Sequence, residues 1–526
     1  MGVEHMQIKK NWFHVLTLVI FEVFAVYAVF SSIIHIADSK IYRFLWYGGL
    51  ITILTLAMVF VHILSWLSAR LNFLRIWSNL KHHRQNERIV VALVILISAS
   101  IRLWVIANLP IAPSSDYQTY YQVADLLSKG LLSSSGYSGY IAQFPHVIGY
   151  PFILSLIFRI TGPSVMAGLY LNLVASLISV YLTYRIARTL TGRLGGLIAL
   201  VVAAFWPSQI LYGTILASEP VFACMLLLSI WLFIYLYRYP VSLGNREGSI
   251  FLCVILGLSI ALAGVVRPMS LIFLVAVVLC MLPFVKRFNR NEKMLNGKFT
   301  RASCQGWFLV LVISLTFFIS NQLISTSISN TINYKLPGSG VSFGYNLMVG
   351  TNIEAQGAWN QQDAEFFAKE FSLTNSPQAA HKASIDVALQ RIKTDPVGVS
   401  NLALEKFTFL WGNDDYAEMW TTIFLEQQGA LTPERLNIIG QFTKWNDYFY
   451  LFCVFFSAIL GIQLFRRKEI GPEYALILLF IGTVILHLVL ETQNRYHYFV
   501  LPIFMILASM SIVEIYRSYV AITNFK

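Results

Sequence analysis

The sequence predicts an all-α polytopic membrane protein: about 12 transmembrane helices, an external juxtamembrane helix and a small external α-rich domain. Three observations predict it. The 526 residues are 57% hydrophobic and only 12% charged, about half the ~25% charge of a typical soluble domain. The apolar residues fall in runs of about 17–25, the length that crosses a ~30 Å hydrocarbon core as helix. The basic residues gather in short segments between those runs. A soluble enzyme, a disordered chain and a disulfide scaffold are excluded together. All five cysteines (Cys224, Cys253, Cys280, Cys304, Cys453) lie in apolar runs or a basic loop, so no external disulfide framework is expected.

The first run, at about 13–34, follows Lys9 and Lys10 and reads as a full-length helix with its N-terminus inside, not a removable signal. Further spans are expected at about 44–67, 89–108, 164–187, 194–213, 220–237, 250–266, 268–284, 306–326, 445–465, 473–490 and 498–517. This order keeps four basic clusters in the cytoplasm: Lys81, Arg84 and Arg88; Arg185, Arg188 and Arg193; Lys286 to Arg301; and Arg466, Arg467 and Lys468, together with the C-terminal Lys526. The net charge of +12 is therefore mainly a topology signal and not a nucleic-acid footprint. Segment 147–162 is apolar but short and carries Arg159; as a span it would invert every later loop, so it is expected to lie at the external interface.

Segment 327–444 has 12 acidic and 8 basic residues, a net −4 that leaves +16 for the rest of the chain. It is too long for a simple connection and reads as an external soluble domain. The expected organisation is 1–88, two helices and a basic cytoplasmic loop; 89–326, a transmembrane core with an external loop at 109–163; 327–444; and 445–526, the closing helices. The absence of any N-x-S/T sequon leans towards a bacterial plasma membrane.

Charges are costly near hydrocarbon, so the few at helix ends are the candidate site. Asp116, followed by Tyr117, Tyr120 and Tyr121, opens the first external loop. It reads either as a helix N-cap or as a general base towards a hydroxyl. Glu219 precedes Pro220 at the outer start of a helix, a sound helix start in itself, but on the same face as Asp116. Arg267 marks the outer turn of the apolar stretch 250–284 and reads as a snorkelling side chain or as a phosphate ligand. Arg495, Tyr496 and His497, with Glu491, occupy the short turn before the last helix, where a second cation suits a phosphate group. Glu22, His62 and Arg102 lie within or near spans and read as pairing or snorkelling side chains; the intramembrane Glu22 is a possible site but has no evident partner.

These pieces, in order, resemble the multi-span GT-C glycosyltransferases, in particular the glycosyltransferase 39 group of protein mannosyltransferases and aminoarabinose transferases. The resembling stretches are Asp116 with its Tyr-rich sequel, HVIGYPFILSLIFRITG, the helices that end in AAFWP, LASEPVF, the run ending in VRP, FGYNLMVGTNIEAQGAWN and NRYHYFVLP. The resemblance covers about 89–517 and implies that Asp116 matches the first-loop catalytic acid and Glu219 a second external acid. Two departures limit it. Asp116 is followed by Tyr117 and not by Glu, which argues against protein O-mannosylation as such, and the stretch around His146 reads PHVIGYP without a double proline.

The implied activity is inverting transfer of a sugar from a polyprenyl-phosphate donor to an external hydroxyl. The acceptor is a lipid, a glycan or a protein. Arg267, Arg495, Tyr496 and His497 would hold the donor phosphate. Tyr117, Tyr120, Tyr121 and His146 would line the site, and Asn346, Asn352 and Trp359, with Asn360, offer an acceptor surface. Metal need differs within the superfamily, so a divalent cation (Mg or Mn) stays open. The rival readings are a polysaccharide polymerase or ligase and a lipid-sugar flippase or transporter; the latter would favour midplane charges and repeats.

Overall fold

The computed structural model describes residues 12–38, 84–238, 246–281, 302–337, 342–467 and 470–523. The helix expected at 44–67, with His62, lies outside the described residues, as do Lys81, the basic run from Lys286 to Arg301, Lys468 and Lys526. No strand occurs among the described residues.

Helices α1 (Trp12–Asp38) and α2 (Arg84–Asn108) precede an outer group of α3 (Ser115–Lys129), α4 (Tyr137–Gln143) and α5 (Gly149–Thr161). The bundle continues with α6 (Val165–Thr191), α7 (Arg193–Ala204), α8 (Pro207–Leu211), α9 (Glu219–Arg238), α10 (Arg246–Val266), α11 (Ser270–Met281) and α12 (Ala302–Ile332). Next come α13 (Gly344–Gly350), α14 (Gln361–Thr374), α15 (Pro377–Thr394), α16 (Pro396–Trp411) and α17 (Tyr416–Gln427), and then α18 (Pro433–Phe465), α19 (Tyr474–Val489) and α20 (Leu501–Thr523). By length and composition, 8 described helices are able to cross a membrane, and up to 9 if the bent pair Arg193–Ala204 with Pro207–Thr214 is one span. The protein is a multi-pass helical membrane protein.

The run expected as one helix at 194–213 is bent by 52°. Pro207 cannot donate to the helix ladder and forces Trp206 out of helical geometry, to ψ 115. The carbonyls freed at the end of α7 find a buried cation. Arg102 of α2 donates from Nη1 to the Ala204 carbonyl at 2.8 Å, and from Nε to Ser176 Oγ at 3.2 Å. An arginine that reads from the sequence as pairing or snorkelling thus caps a broken helix.

Helix α5 has 13 residues, a rise of ~20 Å that falls short of the hydrocarbon core. It packs along α3, with Tyr121 against Phe158 at 5.4 Å between ring centres. At its start, a Cβ on Gly149 would stand 2.1 Å from the Val265 carbonyl oxygen. Only glycine lets this turn approach the end of α10, next to Arg267. Gly149→Ala is therefore expected to push the two segments apart and to lower both thermal stability and activity. Unfolding in detergent micelles, with turnover measured on the folded fraction, checks it; an unchanged melting temperature and rate would count against the close approach.

The segment expected as one soluble domain divides in two. Helices α13 to α15 form an outer cluster around Phe367 and Tyr345, held by the Arg391–Asp363 pair at 2.7 Å. Helices α16 and α17 pack into the bundle instead. Phe407 lies against Tyr27 and Phe24, with ring centres 4.8 and 5.7 Å away, and Trp411 against Phe480 at 4.9 Å. Burying these large rings outweighs the polar character of the segment average. The two parts are clasped by Lys406, whose Nζ donates to the carbonyls of Gly350 (3.0 Å), Leu488 (3.1 Å) and Leu490 (2.6 Å). That clasp fixes the end of α19, just before the turn that carries Arg495.

Candidate active site

The first turn of α3 presents Asp116. The helix N-cap is Ser114, which makes no side-chain cap hydrogen bond, and the next residue, Ser115, takes φ 51, a left-handed conformation that L side chains rarely adopt. The Asp116 carboxylate is not spent on capping: its Oδ2 accepts from Arg495 Nη2 at 2.7 Å. The two partners differ in exposure. The Asp116 side chain is 41% accessible, while the Arg495 side chain behind it is 8% accessible.

Arg495 comes from the 3₁₀ turn Asn494–His497 between α19 and α20 and is the hub of the cluster. Its Nη1 donates to Tyr117 Oη at 3.2 Å, and its Nε stands 3.9 Å from Glu219 Oε1. Three tyrosine rings, Tyr117, Tyr416 and Tyr496, surround its guanidinium carbon at 5.7–5.8 Å, and Tyr117 and Tyr416 share a hydroxyl hydrogen bond of 2.8 Å. Arg495 Nε is buried and has no hydrogen-bond acceptor among the described residues. Glu219, the first residue of α9 and 3% accessible, pairs with Arg267, whose Nε also donates to Ser218 Oγ at 3.1 Å. Arg267 does not snorkel: it turns inward, with the Tyr496 ring 5.9 Å away.

Asp116, Glu219, Arg267 and Arg495 therefore meet as two linked ion pairs that neutralise each other. Burial raises the Asp116 pKa, but Arg495, then Arg267 and His146, outweigh it and hold the carboxyl below the ordinary aspartate value. Tyr120, packed on Tyr150 at 5.6 Å between ring centres, is pushed up to about 12 by burial, against the pull of Arg267. His146 sits within electrostatic reach of Arg267 and Asp116; desolvation in the recess, then Arg267, lowers it to about 4, so the ring is neutral at pH 7. Burial also raises Glu491, above all, against the pull of Arg495.

The other residues singled out from the sequence lie elsewhere. His497 is 1% accessible and bonds through Nδ1 to the Leu410 carbonyl at 2.6 Å and through Nε2 to Asp414 Oδ1 at 3.1 Å. Asp414 also accepts from Trp206 Nε1 at 2.8 Å and from Ser208, so this pair ties the Pro207 bend to the Arg495 turn. Tyr121 packs on α5. Asn352 bonds Asp363 at 3.1 Å inside the outer cluster. The Asn346 carbonyl accepts from the Glu491 amide at 2.8 Å, Asn360 caps α14, and Trp359 is 56% exposed. Tyr416, Ser218 and Asp414 join the site or its support without a sequence signal: each takes its meaning from a distant partner. Among the described residues no three His, Cys, Asp or Glu side chains group as metal ligands, and both site carboxylates already face guanidinium groups.

The profile of the dolichyl-phosphate-mannose-protein mannosyltransferase family, a GT-C family, matches residues 145–320. That third of the chain contains α5, Glu219 and Arg267, and the match bears out the family resemblance read from the sequence. Among solved structures, the chain is similar to the Archaeoglobus fulgidus oligosaccharyltransferase in complex with zinc and sulfate (TM-score 0.43, 13% identity, covering 81% of this chain and 49% of that one). It is also similar to ArnT from Cupriavidus metallidurans bound to undecaprenyl phosphate (TM-score 0.31, 10% identity, covering 82% and 79%). The chain spans about half the length of the archaeal enzyme. No curated protein matches it by sequence.

Proposed function

We propose that the chain is a membrane glycosyltransferase of the GT-C type, which moves a sugar from a polyprenyl-phosphate donor to an acceptor hydroxyl at the external face of a bacterial plasma membrane. The observation that carries this reading is the buried Arg495 guanidinium, with one N–H lacking an acceptor beside the accessible Asp116 carboxylate. A buried cation with a spare donor suits an anionic oxygen; an ionised carboxylate next to it suits a hydroxyl proton.

In this reading the donor phosphate takes hydrogen bonds from Arg495 and Arg267, which stabilise the charge that develops as the bond from the anomeric carbon to the phosphate oxygen breaks. The acceptor oxygen attacks that carbon from the opposite side and inverts it, while its proton passes to Asp116. Polyprenyl phosphate leaves with the electron pair. Glu219 positions Arg267 and is not free to act as a base while paired. The neutral His146 and the tyrosines line the sugar pocket, and Trp359 stands at an acceptor surface. The two guanidinium groups supply the positive charge without a metal.

The test is purified protein given a panel of polyprenyl-phosphate sugars, matched polyprenyl-diphosphate sugars and simple hydroxyl acceptors, with the anomeric configuration of the product read by NMR. Transfer with inversion from a monophosphate donor is expected; turnover confined to diphosphate donors would favour the polymerase or ligase reading.

The ion pairs also imply a pH effect. In the free protein Asp116 is held below its ordinary value, so it remains ionised down to acid pH. When phosphate claims Arg495, the pull on Asp116 weakens and its pKa rises. The acid limb of kcat is therefore expected at higher pH than the acid limb of kcat/KM, since the first reports the complex and the second the free enzyme. Limbs that coincide, or that fall in the reverse order, would argue against shared use of Arg495.

A further inference from the structure

A second charged recess lies at the far end of α2. Asp116 follows the C-terminal end of this helix, whereas Arg88 sits in its first turns, about 30 Å away along the axis. Here α2 and α6 line a half-open recess of about 630 Å³, within the range of small-ligand sites. Its cationic wall is Arg88, Arg185 and Arg188; its apolar wall is Val91, Ala92 and Ile95.

The charges do not cancel. Glu87, 5% accessible, is the acid of this recess, and it is already saturated: Arg188 reaches it at 2.7 and 3.1 Å, Arg193 at 3.0 Å and the Tyr184 hydroxyl at 2.7 Å. Arg185 is held over the Tyr181 and Trp231 rings at 5.7 and 5.4 Å, which fixes its direction without neutralising it. Neither Arg88 nor Arg185 meets a carboxylate among the described residues. The result is a recess with excess positive charge at one end and an aliphatic wall leading towards the middle of the membrane. The matching ligand is amphipathic, with an anionic head above acyl chains.

We propose that this recess binds an anionic phospholipid, its phosphodiester on Arg88 and Arg185 and its acyl chains along Val91, Ala92 and Ile95. With Asp116 outside, the lipid belongs to the cytoplasmic leaflet. Only that assignment of leaflet rests on the proposed function; the binding site stands on the cavity and its charges.

The test uses the full chain in mixed micelles, with phosphatidylglycerol or phosphatidylcholine as probe and retained lipid counted by native mass spectrometry. Phosphatidylglycerol is expected to bind the wild type in preference. With about 1 kcal/mol for each arginine near the surface, the double substitution Arg88→Gln with Arg185→Gln weakens it roughly 25-fold. Arg88→Lys with Arg185→Lys stays close to wild type. Ala92→Trp, which fills the recess and leaves every charge in place, loses the lipid as the glutamine pair does. Arg466→Gln, an exposed arginine of another basic cluster, has no effect. Unchanged retention in the glutamine pair or in Ala92→Trp overturns the proposal. So does equal retention of phosphatidylcholine, or displacement by inorganic phosphate or by polyprenyl phosphate at the same concentration. No step of the assay depends on sugar transfer, so the site and the proposed activity fail separately.

Discussion

Asp116→Asn is expected to lower turnover by about 10²–10⁴, the range for removing a positioned general base, without weakening donor binding. The amide has nearly the shape of the carboxylate and keeps an oxygen that accepts from Arg495, so the fold has little reason to change. It cannot accept the acceptor's proton at neutral pH. It also removes the anion that competes with phosphate for Arg495, which lies 2.7 Å from Asp116. Donor affinity is therefore expected to hold or to improve while kcat collapses. That split separates a base from a merely structural acid, whose loss would lower stability and donor affinity together. Single-turnover kinetics with a radiolabelled donor, alongside equilibrium donor binding, reads both. Wild-type turnover in the variant would remove Asp116 from the chemistry.

Arg495→Lys is the second large effect, expected at about 10²–10³ in kcat/KM for the donor, comparable to losing an oxyanion donor. The charge survives, but the fork does not. Arg495 reaches Asp116 and Tyr117 from its two terminal nitrogens at 2.7 and 3.2 Å and keeps Nε without a hydrogen-bond acceptor, 3.9 Å from Glu219, all within a cage of three tyrosine rings. A lysine ammonium is a compact point charge that cannot span these directions. Donor dependence is expected to suffer more than acceptor dependence. Arg267→Lys is expected to follow the same pattern more weakly, because Glu219 engages that guanidinium already. Equal losses for donor and acceptor would mean that the arginine shapes the site and does not bind phosphate.

The membrane architecture was legible in the sequence because burial in lipid is a local requirement. A run of about 20 apolar residues must be helical wherever it packs, and most described helices fall close to the expected spans, while Ser270–Met281 and Tyr474–Val489 are shorter than the other crossing helices. Where that reading needed amendment, the cause was a specific side chain. Pro207 bent the run 194–213. The rings of Phe407 and Trp411 drew α16 into the bundle, although its segment is acidic on average. The scarce charges at helix ends were legible as candidates for a related reason: an ionisable group beside hydrocarbon is costly and must have a use.

Which partner each charge takes was not legible. Asp116 and Arg495 are 379 residues apart, and nothing local to either distinguishes an N-cap from a base or a snorkelling arginine from a buried hub. His497, two residues after Arg495, looked equivalent to it, yet the turn points it to Asp414 and Leu410. Tyr416 carried no signal, although its ring and hydroxyl complete the cage. Length and hydropathy by themselves determined a helical membrane protein and the short list of residues in which chemistry resides. Only the packing of α3, α9, α10 and the last turn against one another decided that Asp116, Glu219, Arg267 and Arg495 form one linked set, because electrostatic partnership depends on distance in space and leaves no periodic trace along the chain.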